Sequence, residues 1–316
     1  MPLLRDGSYL SLMQATTYGD HLEEAKAVFN EAKSRKLDDA HMHDLRHLIA
    51  FLQHDDLSTQ QETSWLNQHG QEKYALWREL EVRAYHGQFA EARRLLRNYN
   101  EQAVTGIVRG QLPLHSIELA LEEAEAGDTT TAARLVKNTT QFHGTRTEQL
   151  NLAMVLARTG NSVESKRLAD EIGRESPEDT IIQFYLLPTI RASSELRENR
   201  PTNAIDLLRS TVKYELAYPT SFNSVYPAYV RGLAYLQLGQ GKQAAGEFQK
   251  LIDHPALVGR WVAGALAYLQ LGRAQAMMGD KTDAKKSYQT FLAIWKDADP
   301  DLPAYKQAKL EFAALR

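Results

Sequence analysis

Four histidines crowd one short region with three aspartates: His41, His43, His47 and His54, beside Asp44, Asp55 and Asp56. His43 and His47 are four residues apart and would share one face of a helix, a spacing that can hold a metal ion. The run from His43 to His47 also mimics a metalloprotease motif, with Asp44 in the place of the glutamate that acts as general base. Aspartate is shorter and would misplace the base, and only Glu62 follows as a third ligand. A solvated helix is therefore favoured over adventitious metal binding or catalysis, and we predict no metal site and no cofactor.

Other templates for catalysis are missing from the sequence. The chain has no cysteine, which excludes disulfides, thiolate zinc sites and cysteine nucleophiles. It has no Gly-x-Ser-x-Gly elbow and no phosphate loop ending in Gly-Lys-Ser/Thr. The acidic run Glu122, Glu123 and Glu125 is interpreted as a solvated helix face. We therefore predict a protein that is not an enzyme.

Composition and charge restrict the class of partner. The 316 residues are 43% hydrophobic and 24% charged, which is ordinary for a soluble globular protein. A net charge of −3 and a pI near 6.4 argue against nucleic-acid binding, since such domains usually have a pI above roughly 9. No stretch approaches the ~18–20 apolar residues that span a bilayer, and the N-terminus lacks the apolar run of a signal peptide. We expect no membrane insertion and a cytoplasmic location, or an extracytoplasmic one if the chain is a fragment of a membrane-spanning kinase.

A recurring pattern organises the whole chain: a turn residue is followed about five positions later by a small residue, with apolar residues at helical spacing around both. The small residues recur every 33 to 40 positions, at Ala25, Thr59, Ala92, Ala132, Ser165, Ala204, Ala244 and Ala284. The turns before them are at Gly19-Asp20, His54-Asp55, Gly87-Gln88, Gly127-Asp128, Gly160-Asn161, Asn199-Arg200-Pro201, Gly239-Gln240 and Gly279-Asp280. The pattern predicts two antiparallel helices per unit, crossing closely at the small residue. Gly232 beside Phe248, and Gly272 beside Tyr288, are expected to be further close crossings.

Where two successive small residues are about 40 positions apart, the unit has about six residues more than the shorter units. We place these extra residues in the loops between repeats, for example at Asp253-His254-Pro255. Pro303 opens a last helix over residues 303–315, with Leu310 and Ala314 as its apolar residues. We predict that it caps the exposed face of the eighth unit, since a terminal repeat needs a polar outer surface.

These units resemble the tetratricopeptide repeat, a 34-residue helix-turn-helix unit. The resemblance covers about residues 8–296, and the unit around His54 is degenerate. It implies an all-α, right-handed superhelix of about eight helix-turn-helix repeats with a C-terminal capping helix. We expect residues 1–316 to form a single array.

Three stretches are more specific than the repeat consensus: residues 181–192, 226–235 and 291–301. They resemble the C-terminal repeat half of serine/threonine protein kinases of acidobacteria and related bacteria, and the resemblance covers about residues 20–316. It implies the sensor or docking half of a bacterial kinase system. The kinase motifs themselves are absent from this chain, so no phosphotransfer residue is carried over.

The first helices of such arrays line a concave groove, where we expect a peptide or a protein segment to bind. The candidate groove residues are Tyr74, Trp77, Tyr85, Tyr185, Arg191, Tyr226, Tyr229, Arg231 and Arg273. Aromatic residues and arginine are enriched at binding hot spots. The alternatives are ordinary packing for the aromatics, and ion pairs between adjacent repeats for Arg191 and Arg231. A second functional hypothesis is a small-molecule sensor, with its ligand near Tyr185, Tyr226 and Tyr229.

Overall fold

The computed structural model describes residues 6–104, 114–137, 144–217 and 225–315. These parts of the chain are helices joined by turns and loops, and they contain no strand. The helices are α1 (Asp6–Tyr18), α2 (Leu22–Ser34), α3 (Ala40–Leu52), α4 (Asp56–Gln68), α5 (Glu72–Tyr85), α6 (Phe89–Val104), α7 (Leu114–Glu125), α8 (Thr129–Leu135), α9 (Arg146–Thr159), α10 (Ser162–Glu175), α11 (Leu187–Arg197), α12 (Pro201–Leu207), α13 (Tyr226–Gln237), α14 (Gly241–Asp253), α15 (Pro255–Val258), α16 (Ala263–Met277), α17 (Lys281–Ile294) and α18 (Pro303–Ala314).

Consecutive helices pair into hairpins, from α1–α2 to α13–α14, followed by α16–α17. The short α15 lies in the loop between the last two hairpins, and α18 follows the last one. The predicted all-α fold of tetratricopeptide-like helical repeats is confirmed.

Each hairpin turns on one residue in the left-handed backbone region, at the position that the sequence predicted. These residues are Asp20, His54, Gly87, Gly127, Gly160, Asn199, Gly239 and Gly279, with φ between 55° and 94°. A left-handed residue ends a helix and lets the chain reverse, and glycine adopts that conformation without a Cβ penalty. Asp20, rather than the neighbouring Gly19, takes this conformation in the first turn.

The small residues after the turns lie at the helix crossings. Seven of the eight are fully buried, from Ala25 to Ala284, and Thr59 of the degenerate second unit is half-buried. Glycines allow still closer crossings at two sites. A Cβ on Gly232 would lie 2.7 Å from the ring of Phe248, and one on Gly272 would lie 2.9 Å from the ring of Tyr288.

Gly232→Ala is expected to lower the free energy of unfolding by about 1–3 kcal/mol, because the added methyl overlaps a buried aromatic ring. Gly246→Ala is the matched control: Gly246 lies on the exposed face of α14, and a Cβ there meets nothing within 4 Å. This second change should raise stability by about 0.5–1 kcal/mol through helix propensity. Urea unfolding of both variants measures the difference. Equal effects from the two substitutions would contradict the close crossing.

The array turns back on itself, so that its last elements contact the third and fourth hairpins. At one point the Asp299 amide donates to the Gly87 carbonyl at 3.0 Å, and the Trp295 indole donates to the Tyr85 carbonyl at 2.9 Å. Nearby, the Ala304 amide donates to the Ala126 carbonyl at 3.1 Å. We call this interface, between residues 295–304 and the turns of the third and fourth hairpins, the seam. The seam satisfies helix-end carbonyl groups that would otherwise need water.

A second closing contact is made by the extra residues between the seventh and eighth hairpins. We call residues 254–262 the insert. The Asp20 carboxylate in the first turn accepts from the Ala256 amide at 3.1 Å, and α15 packs against α1 and α3. The extra residues predicted in this loop are thus confirmed as a structural element that reaches across to the N-terminal hairpins.

Helix α18 packs against α17, but through residues other than the predicted ones. Leu310 is 67% exposed and Ala314 is exposed, whereas Tyr305 and Ala308 are buried. The prediction of the packed face of α18 was wrong. The start of α18 also contacts the fourth hairpin, a contact that the pattern of residues within the helix does not reveal.

Candidate functional site

The structure buries three predicted groove residues: Tyr185, Tyr226 and Tyr229 are at most 3% exposed. The Tyr226 hydroxyl donates to Glu125 at 2.5 Å, and Arg158 holds the same carboxylate with two hydrogen bonds of 2.6 and 2.8 Å. Burial raises the pKa of Tyr226 well above its ordinary value, so the phenol remains a donor. This network joins α7, α9 and α13. The Tyr226 hydroxyl thus holds three helices together, which is the packing role that the sequence left open as the alternative.

The two equivalent arginines form ion pairs, as one of the two sequence interpretations stated. Arg231 is buried and contacts Glu215 at 2.7 Å and Glu247 at 2.6 Å. Arg191 pairs with Asp170 of the preceding hairpin at 3.1 Å, with its side chain 42% exposed. Because the Arg231 guanidinium already has two carboxylate partners and is almost inaccessible to solvent, it does not anchor an outside ligand in this conformation.

The remaining candidate groove residues are in more varied surroundings. Trp77 is 6% exposed and stacks on His115 with ring centroids 3.7 Å apart. Tyr74 is half-buried beneath Arg78, and Arg273 bonds Glu311 of α18 at 2.9 Å. Tyr85 is half-buried against Gly264 of α16. Of these four residues, only Trp77 lines the cleft described below.

Two of the four clustered histidines are buried, which corrects the prediction of a solvated helix. The ring of His43 stacks on Trp65 at 3.5 Å, and its two nitrogens contact Glu62 at 2.5 Å and Asp38 at 3.1 Å. The face shared by His43 and His47 turns inward, so the side chains serve packing. Among the described residues, no group of three or more histidines and carboxylates is arranged to hold a metal ion.

His47 accepts hydrogen bonds from Arg260 of the insert, with nitrogen-to-nitrogen distances of 2.9 and 3.2 Å. Burial, together with the charge of Arg260, lowers the pKa of His47 to about 3. Histidine has an ordinary pKa near 6.5. The ring is therefore neutral at pH 7 in the folded protein.

We expect His47 to make the fold sensitive to acid. Below pH 6.5 the unfolded chain takes up a proton at His47 that the folded chain refuses until about pH 3, so stability falls through that window. At pH 5 the loss from this one group is about 2 kcal/mol. His47→Asn keeps an acceptor for Arg260 and removes the titration. Urea unfolding at pH 7 and pH 5 should show a larger loss in the wild type than in the variant, and equal losses would contradict the assignment.

The acidic run on α7 is buried, so its interpretation as a solvated face was wrong. Glu122, Glu123 and Glu125 are 4%, 0% and 7% exposed. Glu125 bonds Arg158, and Glu123 bonds Arg93 at 2.7 Å. The spacing of residues along α7 could not reveal that these carboxylates are buried, because the arginines that pair with them, Arg93 and Arg158, belong to other hairpins.

A cleft of about 250 Å³ opens on the concave face, and it is the candidate functional site. First helices of several hairpins and the insert line it, through Tyr18, Asp44, Leu48, Trp77, Arg78, Glu81, Ile117, Glu118, Leu121, Glu122, Asn151, Tyr226, Ala256, Leu257, Val258, Gly259, Arg260 and Trp261. The insert lies on the concave face, where the sequence placed a partner. Trp77 and Tyr226 are the two predicted groove residues that it shares.

Opposite charges in one half of the cleft cancel. Arg78 bonds Asp44 at 2.5 Å and Glu81 at 2.7 Å, and Arg260 reaches the same Asp44 at 3.4 Å. Burial alone would raise the pKa of Asp44, but the guanidinium groups of Arg78 and Arg260 hold it below its ordinary value. Arg78, Arg260 and Asn151 also line the cleft, and no pattern in the sequence marked them as site residues. The spacing of 40 positions between Ala244 and Ala284 was the signal in the sequence that pointed to extra residues at the insert.

The helix-turn-helix plan of these hairpins is that of the tetratricopeptide repeat, and the sequence model of that family matches residues 266–297. No curated protein matches the chain at a significant level. Among solved structures, the chain is similar to the crystal structure of yeast Tom70, with a TM-score of 0.43 and 14% sequence identity. The match covers 94% of this chain and 59% of the Tom70 chain. No helix in the described ranges has the length and apolar character to cross a membrane.

Proposed function

We propose that this chain is a non-catalytic protein-interaction scaffold, and that its concave cleft holds a short segment of a protein partner. The insert carries this proposal because it lies on the concave face as a bound segment would. Its Ala256 amide bonds the first turn, and its Arg260 side chain enters a buried site between α3 and α5. The same face thus offers both backbone and side-chain recognition.

The size of the cleft limits what the partner inserts. Pockets for drug-sized ligands usually measure about 300–1,000 Å³. A cleft of about 250 Å³ falls below that range and suits one or two side chains. We therefore propose that a partner docks a short segment beside the insert, rather than threading a long peptide through the array.

The test is selection from a library of displayed peptides against the wild type and a variant with a blocked cleft. Leu121→Trp should fill the cleft, since Leu121 is 7% exposed and lines it. Leu310→Trp is the matched control, because Leu310 is 67% exposed on α18 and lies outside the cleft. Peptides retained by the wild type and by Leu310→Trp, but lost from Leu121→Trp, would support the proposal. A library that yields no peptide, or peptides that ignore the block, would overturn it.

The small-molecule sensor is the second candidate function. The volume of the cleft favours it, since about 250 Å³ also suits a small metabolite. A saturable thermal shift with a small ligand, lost in Leu121→Trp and not reproduced by any peptide, would favour the sensor over the scaffold.

The link to a bacterial serine/threonine kinase stays a prediction from the three similar stretches. Its test is co-purification of a kinase with the wild type and its loss from Leu121→Trp.

A further inference from the structure

Two side chains that line the cleft, Glu122 and Asn151, each carry a buried acceptor atom with no hydrogen-bond donor among the described residues: Oε2 of Glu122 and Oδ1 of Asn151. Both side chains are nearly inaccessible, with exposures of 4% and 3%. A buried polar group without a partner has lost its hydrogen bonds to water and gained none in return, so native proteins rarely contain one without a reason. A hydrogen-bond donor bound in the cleft would offer these two side chains the partner that the protein itself does not supply.

The charges that line the cleft leave an excess of acid. Asp44 and Glu81 are balanced by Arg78 and Arg260, which lie within 4 Å of them. Two further carboxylates, Glu118 and Glu122, also line the cleft. Glu118 contacts the ring of His115 at 3.0 Å, whereas Glu122 has no ion pair in the described part of the chain.

Glu122 lies in surroundings that disfavour its negative charge. Burial raises its pKa well above the ordinary value, and the nearby charges of Glu81, Glu118 and Glu123 raise it further. A positive charge beside Glu122 would reverse both effects, because an opposite charge within a few ångströms favours the ionised form.

Aromatic rings complete the lining. Trp77, Trp261 and Tyr226 border the cleft, and the last two pack edge to face with centroids 4.8 Å apart. The face of an indole attracts a cation, and the attraction increases when the site is shielded from water. Buried acidic and amide acceptors beside indole rings are features that suit an organic cation.

We propose that the cleft binds an organic cation, an alkylammonium or a guanidinium group, which donates to Glu122 and Asn151 and packs on the indoles. The group could belong to a free amine or to a lysine or arginine side chain of a partner. The inference deepens the proposed function and rests on it where the cation is a partner's side chain. The volume is several times the roughly 30 Å³ share of one liquid water and leaves room for such a group.

The first arm of the test uses free ligands and calorimetry. Butylammonium and butylguanidinium should bind at least ten-fold more tightly than butanol, and butyrate should not bind. Glu122→Gln and Asn151→Leu should each weaken the binding of the cations at least ten-fold. Glu175→Gln, which removes one carboxylate from the exposed face of α10, should leave it unchanged. Equal binding of butanol, or no effect of Glu122→Gln in a folded variant, would overturn the inference.

The second arm uses the peptides selected for the proposed function. Replacing each lysine or arginine by norleucine should abolish binding if the cation is a partner's side chain. Peptides that bind as well with norleucine would overturn the inference for a partner's side chain and leave the scaffold standing. Binding of the free cations with no peptide retained would support the inference with a small amine as ligand, and would overturn the scaffold.

Discussion

Replacing Glu125 with alanine is expected to lower the free energy of unfolding by about 3–5 kcal/mol. Removal of this carboxylate leaves the guanidinium of Arg158 without its bidentate partner, and leaves the Tyr226 hydroxyl without its acceptor. Breaking a buried ion pair from one side is costly, because the remaining charge has no solvent to stabilise it. Tyr226→Phe removes the hydrogen bond to Glu125 but keeps the Glu125–Arg158 pair, and it should cost only about 0.5–1.5 kcal/mol.

Chemical unfolding of the two variants gives the comparison, and a double variant separates its causes. Glu125→Ala combined with Arg158→Met removes both charges, and we expect it to recover much of the lost stability. A double variant as unstable as the sum of its single changes would contradict the account, since it would place the loss in packing instead of in an unpaired charge.

Trp295→Ala is expected to open the seam and to lower the free energy of unfolding by about 3–5 kcal/mol. Trp295 is fully buried, lies against Gly87, and donates its indole hydrogen to the Tyr85 carbonyl. Loss of a buried tryptophan combines lost burial with a cavity, and this position also loses a link between the C-terminal residues and the third hairpin. Small-angle scattering should report a larger radius of gyration.

Trp65→Ala provides the control for this change. Trp65 is half-buried, stacks on His43 in the N-terminal hairpins, and makes no contact with the seam. It should destabilise the chain less and leave its dimensions unchanged. Identical scattering from Trp295→Ala and the wild type would show that the seam does not depend on this side chain.

The turn residues could be predicted because their cause is local. A left-handed residue at Gly87, Gly239 or Gly279 is required by its own helix end, and neighbouring residues in the sequence reveal it. The small residues Ala92 and Ala244 were equally accessible to prediction, since two consecutive helices that cross closely need a small side chain at the crossing.

The candidate site depended on contacts that sequence spacing does not encode. Tyr226 and Glu125 are 101 positions apart, and Arg260 meets Asp44 across 216 positions. Glu122 is similar: its pattern on α7 is that of a polar face, and only the arrival of other hairpins buries it.

The sequence by itself therefore determined the repeat, its hairpins, its turns and the place of the insert, because each results from interactions within one or two helices. Only the tertiary structure decided whether the concave face stays open. That outcome depends on the summed rotation of eight hairpins, which brings residues 295–304 against Gly87 and sets the insert beside α3. Small angular differences between hairpins accumulate along the array, and no single repeat carries a local signal for the sum.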